Sequence, residues 1–181
     1  MNIFYLDKDP VTAAKMHCDK HVVKMIIEYA QMLSTAHRML DGTQYTDASS
    51  GRRIQRWKLD NSNMDGVLYK ASHINHPSAI WVRENAIQYQ YMYDMFVACC
   101  DEYIYRYGRI HMTDTKLREL LNELPKNIKL GVWKEPPPAM PDYCKVVGNS
   151  LLSYHKYYAK EKKDFAKWTL REVPTFMEQY A

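Results

Sequence analysis

The chain has 181 residues, enough for one domain with a sizeable hydrophobic core and too few for two full-sized domains. Hydrophobic residues make up 46% of the chain and charged residues 25%, which is typical of a globular protein and not of a disordered or fibrous one. The formal net charge is +4 at pH 7. The four cysteines show no CxxC spacing, which argues against a disulfide framework and favours a reducing cytosol.

The sequence contains no apolar run of the ~18 residues that a membrane-spanning helix needs. Its opening, MNIFYLDKDP, has neither the basic start nor the apolar stretch of a signal peptide. We therefore predict neither membrane insertion nor secretion, and a location in the cytoplasm.

Two segments open the chain. The first six residues alternate as a short extended segment, and Asp9-Pro10 then supplies an N-cap followed by proline in the first helical position. Apolar residues recur at spacings of three and four over 11–40, and Gly42 ends the pattern. This pattern predicts one long helix.

Residues 42–65 lack a sustained period and are rich in Ser, Asp, Asn, Thr and Gly, which predicts a long loop. Loops of this length in compact domains are usually functional or disordered. Within this loop the stretch GRRIQRWK carries cations and no acid: Arg52, Arg53, Arg56 and Lys58.

A second long helix is predicted from Pro77 to Gly108, apolar around most of its circumference and therefore buried on several sides. A shorter amphipathic helix follows Thr113 and stops at Pro125. Residues 126–143 contain four prolines and predict an extended connection.

A last helix is predicted over roughly 148–168. Tyr154, Tyr158 and Phe165 fall on its apolar side, where we expect them in the core. A second stripe of the same helix is basic: Lys156, Lys160, Lys163 and Lys167. With no internal repeat in the chain, we predict a single all-α domain over 1–181, a helical bundle with two long central helices and a short extended N-terminal segment.

The first predicted helix carries a polar stripe at steps of four, three and four: His17, His21, Lys24 and Glu28. In a cleft, these residues would form a catalytic surface, because imidazole titrates near neutrality and a desolvated lysine becomes nucleophilic. The alternative is a solvated helix face with a Lys24–Glu28 pair that contributes only a few tenths of a kcal/mol.

The His17 and His21 spacing also fits two zinc ligands on one helix, with His73, His76 or His155 as a third, which leaves a metal-dependent hydrolase as an alternative. The glutamate of an HExxH motif is absent, and we predict no metal and no cofactor. In HINHP (73–77), a histidine before a helix either contacts phosphate or, more simply, caps the helix.

The basic loop and the lysine stripe both lie beside aromatic residues, among them Trp57, Tyr157 and Trp168. Cations neutralise phosphates and rings stack on unpaired bases, so this combination favours DNA as a partner. The alternative is a solvated lysine face over core aromatics. The sequence has no motif of a nucleotide hydrolase, a dinucleotide-binding protein or an α/β-hydrolase.

Three stretches carry a resemblance: NIFYLDKDPVTAAKMHCDKHVVKMIIEYAQML, KASHINHPSAIWVRENAIQYQYMYDMF and YHKYYAKEKKDFAKW. Together they resemble an uncharacterised protein family of tailed bacteriophages, over nearly the whole chain. The order of elements is more faintly similar to the pyrimidine-dimer DNA glycosylases of the endonuclease V type, small helical proteins with a basic, aromatic C-terminal region on DNA.

The second resemblance implies attack on the sugar by the N-terminal α-amine, assisted by a glutamate on the first helix. Here Met1-Asn2 replaces a processed threonine, the glutamate position falls near Lys24, and Glu28 follows one turn later. Lys24 is then an alternative amine nucleophile. We expect a phage-encoded protein of the host cell cytoplasm that excises or modifies DNA bases after flipping them out. The alternative is a non-catalytic helical module that binds nucleic acid or a host protein; the oligomeric state is left open.

Overall fold

The computed structural model describes residues 1–180, and the fold over this range is mainly α, as predicted. A two-stranded sheet is formed by β1 (Thr43–Asp47) and β2 (Ile54–Lys58), and a short 3₁₀ helix covers Asp142–Cys144. Eight α-helices are described: α1 (Pro10–Met16), α2 (Asp19–Asp41), α3 (Ser62–Val67), α4 (Pro77–Glu84), α5 (Ala86–Tyr107), α6 (Met112–Leu121), α7 (Ser150–Glu161) and α8 (Phe176–Gln179).

Helices α2 and α5 pack against each other at the centre of the molecule, and α1, α4 and α6 pack around them. The N-terminal segment is extended, as predicted, and it is buried: Ile3, Tyr5 and Leu6 are fully inaccessible and belong to the same core. Burial of this segment places the N-terminus against α2, which determines the position of the candidate site.

The single helix predicted over 11–40 is interrupted. His17 and Cys18 have extended backbone angles and separate α1 from α2. The amide of Cys18 donates to the Tyr158 hydroxyl at 2.8 Å, and the amide of Asp19 donates to the Lys167 carbonyl at 2.8 Å. These tertiary hydrogen bonds replace the helical ones. The apolar spacing of the sequence continues through residues 17 and 18, so it gave no sign that the helix is interrupted there.

The second predicted helix is interrupted in the same way at Asn85, between α4 and α5. The Asn85 side chain caps α5 through the amide of Gln88 and donates to the Val132 carbonyl, while the amide of Ala86 donates to the Lys129 carbonyl. The Pro-rich connection thus holds the break in place.

The interpretation of 42–65 as a loop is wrong for most of its length. Strands β1 and β2 pair in antiparallel register from Thr43 opposite Lys58 to Asp47 opposite Ile54, and α3 follows. Gly51 has φ +78°, a left-handed conformation that glycine adopts without strain, in the turn between the strands. The sequence shows no alternation of apolar and polar residues here, because both faces of this hairpin are largely exposed and polar.

Arg38 anchors the hairpin to the core. Its guanidinium is fully buried and donates to the carbonyls of Trp57, Asp65, Leu68 and Tyr69 at 2.6–2.9 Å. It also forms an ion pair with the Asp65 carboxylate at 2.7 Å. Each guanidinium nitrogen therefore donates to at least one acceptor, as a buried arginine requires.

The last predicted helix is shorter than 148–168, since α7 ends at Glu161. Lys156 and Lys160 lie on α7, whereas Lys163 and Lys167 lie beyond it, so the four do not form one helical stripe. Tyr154 and Tyr158 are buried, as predicted, and Phe165 is half-buried. No helix within residues 1–180 combines the length and apolarity that crossing a membrane would require.

Candidate functional site

The candidate site is a carboxylate between two amines. The N-terminal amine of Met1 lies 3.9 Å from Glu28 Oε2, and Lys24 Nζ lies 3.2 Å from Glu28 Oε1. The Glu28 side chain is 16% exposed and that of Lys24 is 68% exposed, so the carboxylate is sheltered and the lysine reaches solvent. We call these three groups the amine–glutamate cluster.

The loop before α4 borders this cluster. His76 Nδ1 accepts a hydrogen bond from the Ser78 amide at 3.1 Å, which confirms the predicted helix cap. The pKa of His76 is lowered by burial and then by the positive charges of the N-terminal amine and His73, while Glu28 opposes the shift. These couplings indicate that His76 lies near the N-terminal amine and Glu28.

His17 does not share a helix face with Glu28, because it lies in the break between α1 and α2. It is fully buried, with Nδ1 2.7 Å from the Ala13 carbonyl and Nε2 2.6 Å from the Tyr29 hydroxyl, which in turn contacts the Ile3 carbonyl. Burial lowers the pKa of His17 to about 4, so its ring is neutral at pH 7. It holds the N-terminal segment on α2.

His21 lies on α2 but its ring is covered. Phe4 stacks on it with centroids 4.2 Å apart, and Nδ1 lies 2.7 Å from the Tyr158 hydroxyl. Burial, followed by neighbouring positive charges, lowers the pKa of His21 to about 3. Phe4 adopts φ +50°, an uncommon conformation for a bulky residue, and in this conformation its ring stacks on His21.

Three lysines surround the covered His21. Lys20, Lys24 and Lys162 each disfavour its protonation, which shows that their charges converge there from α2 and from the end of α7. Lys162 also donates to the Tyr157 hydroxyl at 3.1 Å and lies 4.5 Å from the centroid of that ring. Lys24 is the member of the cluster that also acts on His21, together with Lys20 and Lys162.

The predicted DNA-binding residues form two groups. Arg52, Arg53 and Lys58 are exposed on the hairpin, and Arg56 lies 3.9 Å from Asp47. The hairpin begins at the end of α2, about 20 Å from Glu28 at 1.5 Å per residue. The other group lies on and after α7: Lys156, Lys160, Lys163 and Lys167, of which the first is half-buried and the rest exposed.

The histidines do not assemble a metal site. Both ring nitrogens of His17 are engaged in hydrogen bonds, and His155 points elsewhere, with Nε2 2.7 Å from the Leu6 carbonyl and its ring stacked on Phe176. Within residues 1–180 no group of three or more His, Cys, Asp or Glu side chains is arranged to hold a metal ion. The geometry therefore gives the His17–His21 pair no third ligand.

Comparison with protein-family models returns no match, and neither curated proteins nor solved structures include a match to this chain. The resemblances to phage proteins and to DNA glycosylases accordingly stay predictions.

Sequence reasoning identified Lys24 and Glu28 as neighbours but missed three groups that the fold adds to them. Lys20 and Lys162 belong to neither the polar stripe nor the basic one, so the spacing rules did not single them out. The N-terminal amine was considered only through the resemblance. The one sequence signal for its position was the predicted extended segment over the first six residues, of which residues 2–6 are buried in the structure.

Proposed function

We propose that this protein is a phage-encoded enzyme of the host cytoplasm that acts on bases in DNA by glycosylase-like excision or modification. The observation that carries the proposal is the position of Glu28, 3.2 Å from Lys24 Nζ and 3.9 Å from the N-terminal amine. A carboxylate next to an amine is the arrangement that amine-dependent excision needs.

The chemistry would proceed from an unprotonated amine, since only the free electron pair is nucleophilic. Glu28 lies within reach to accept the amine proton. The nitrogen then bonds to C1′ of the deoxyribose as the glycosidic bond breaks, and the base leaves with the bonding electrons and takes up a proton. Opening of the sugar ring gives an iminium between the amine and C1′. Hydride from borohydride reduces this species to a stable amine link.

The surroundings of the cluster support DNA as the substrate. Lys24 lies next to the carboxylate, and Lys20 and Lys162 add positive charge around the neighbouring His21, where phosphates of the strand would lie. The hairpin, which begins about 20 Å from Glu28 along α2, carries the exposed Arg52 and Arg53 near its turn as a second group of cations for the strand. A base must leave the duplex to reach any side chain, so the proposal includes base flipping.

Borohydride trapping tests the proposal. The full-length protein would be incubated with oligonucleotides carrying an abasic site or one of a panel of damaged bases, with and without borohydride. We expect a covalent protein–DNA product that depends on borohydride. Glu28→Gln keeps the size of the side chain and removes the proton acceptor, and we expect it to reduce trapping at least 100-fold.

Two further variants identify the amine. Lys24→Ala removes one candidate, and acetylation of the N-terminal amine removes the other. Lys145→Ala is the matched control, because Lys145 is also an exposed lysine paired with a carboxylate, Asp142 at 2.8 Å. Trapping that survives all of Lys24→Ala, N-terminal acetylation and Glu28→Gln would exclude this site as the reaction centre.

The second candidate function is a non-catalytic module that binds nucleic acid or a host protein. The hairpin favours it, because Arg52 and Arg53 lie exposed near its turn and make no ion pair within residues 1–180. This function predicts that binding tolerates substitution of Lys24 and Glu28 but not of Arg52, Arg53 or Lys160.

A further inference from the structure

A separate cavity of about 470 Å³ lies between the N-terminal segment, α5 and the Pro-rich connection. Three of its walls are aromatic: Tyr5, Tyr91 and Trp133. Ring centroids are 5.8 Å apart for Tyr5–Tyr91, 5.0 Å for Tyr91–Trp133 and 6.2 Å for Tyr5–Trp133, with interplanar angles of 70°, 57° and 47°. Rings inclined in this way form a concave aromatic site, which is open because Trp133 is 39% exposed.

One hydroxyl in this site has no partner within the protein. Tyr5 is fully buried, and its hydroxyl makes no hydrogen bond to any residue of the range 1–180. The Tyr91 hydroxyl, by contrast, donates to the Asp7 carbonyl at 3.0 Å. A buried polar group left without a partner is unfavourable, so a ligand that supplies one would be stabilised there.

The lining carries one charge of each sign, and the acidic one is the more sheltered. Glu135 lines it and accepts a hydrogen bond from the Ser150 amide through Oε2 only, which leaves Oε1 without a bond to the protein. Glu135 and then Asp7 add to the effect of burial in raising the pKa of Tyr5 to about 12, so both carboxylates act on the Tyr5 hydroxyl. Lys8 is the one cation of the lining, and it is exposed.

We propose that this cavity binds a small organic cation of the alkylammonium class. The cation would lie against the exposed ring of Trp133 beside Tyr91 and be attracted by the free oxygen of Glu135. Aromatic rings attract cations through the negative charge on their faces, and quaternary ammonium groups are bound by aromatic cages for this reason. The same carboxylates disfavour a nucleotide, because its phosphates would be repelled. The inference does not depend on the proposed reaction on DNA.

A pair of probes tests the proposal. Choline carries a quaternary nitrogen, and 3,3-dimethylbutan-1-ol has the same shape with carbon in place of that nitrogen. Each would be titrated into the full chain, with binding followed by protein NMR shifts and by tryptophan fluorescence. A cation–π contribution of about 1–2 kcal/mol corresponds to choline binding roughly 10-fold more tightly than its neutral analogue.

Three variants locate the site. We expect Glu135→Gln to weaken choline binding about 5-fold or more without changing that of the neutral analogue, and Trp133→Leu to weaken both. Lys8→Gln should tighten choline binding, because it removes the opposing charge. Glu119→Gln is the control, since Glu119 is an exposed glutamate on α6 outside the cavity lining.

Circular dichroism would show whether each variant is folded. Equal affinity for the two probes would show that the cavity is merely apolar and would overturn the proposal. Choline binding that Glu135→Gln and Trp133→Leu both leave unchanged would place the cation elsewhere, and the absence of any choline binding would also overturn it.

Discussion

The two ends of α2 carry charge in contrasting ways. At its C-terminal end, Arg38 is buried with its donors matched by four carbonyls and the Asp65 carboxylate. Nearer its N-terminal end, Glu28 faces two amines, and Lys24 projects into solvent with a single ion pair. The first arrangement leaves the charge no capacity for another partner, whereas the second leaves amines free to meet one.

On this helix, a structural charge has all its hydrogen-bond donors matched by protein acceptors, whereas a candidate functional charge keeps donors that are free to bind another partner. Arg38 and Lys24 are both cations on α2, and each has a carboxylate partner within 3.2 Å. Arg38 is buried and makes further hydrogen bonds, whereas Lys24 is largely exposed, and this difference can be seen only in the folded structure. Substitutions at the two ends should consequently affect different measurements.

The largest effect on stability is expected at Arg38. Replacement by Leu leaves Asp65 and several buried carbonyls without their donor, and removal of one partner from a buried ion pair typically destabilises a protein by about 3–5 kcal/mol. Urea unfolding would measure the loss. Lys24→Leu, on the same helix, is the control and should change stability by less than about 0.5 kcal/mol. A loss at Arg38 below 1 kcal/mol would contradict the comparison.

Acid should produce the next largest effect, through His17 and His21. Their pKa values fall to about 4 and about 3 in the folded protein, mainly because both rings are buried. The unfolded chain binds these protons first, so stability is complete above about pH 6.5 and decreases as the pH falls towards 4. Each histidine contributes a slope of at most about 1.4 kcal/mol per pH unit.

Unfolding in urea at several pH values would measure this slope. His17→Gln and His21→Gln should each flatten it between pH 4 and 6.5. Carboxylates with lowered pKa values, such as Glu102 between two arginines, lose their contribution only at lower pH. An equal slope in the histidine variants would show that other groups cause the acid sensitivity.

The helices were predictable because local patterns determine them. The cap at Asp9-Pro10, the buried period of α5 and the cap at His76 all rest on residues close together in the chain. The breaks at His17 and Asn85 were not predictable, because their partners, Tyr158 and residues 129–132, are distant in sequence.

The candidate site was predictable in part for the same reason. The pairing of Lys24 with Glu28 follows from their spacing of four on one helix. His17 was placed on that face only because the helix was assumed to be continuous. Tertiary packing brings Lys162 near His21 and the N-terminal amine near Glu28, and a spacing rule within one helix cannot predict such contacts.

A much smaller stability effect is expected for the amine–glutamate cluster. Lys24→Ala removes a largely exposed ion pair, and such pairs contribute about 0.3–0.5 kcal/mol on a helix. Thermal unfolding should therefore change little, although trapping on DNA is lost if Lys24 is the nucleophile. A stability loss comparable to that at Arg38 would assign Lys24 a structural role and weaken the contrast between the two ends of α2.

The smallest stability effect is expected at the hairpin turn, where Arg52→Ala combined with Arg53→Ala should leave the unfolding free energy unchanged. Both side chains are exposed, and within residues 1–180 neither has an ion-pair partner. If both contact phosphates, the slope of log K against log salt for duplex DNA should fall in magnitude by about 1.8. Replacing two exposed lysines elsewhere, Lys116 and Lys129, is the control for net charge. An equal change in slope for both pairs would mean that the hairpin contributes general charge and makes no specific contact with the strand.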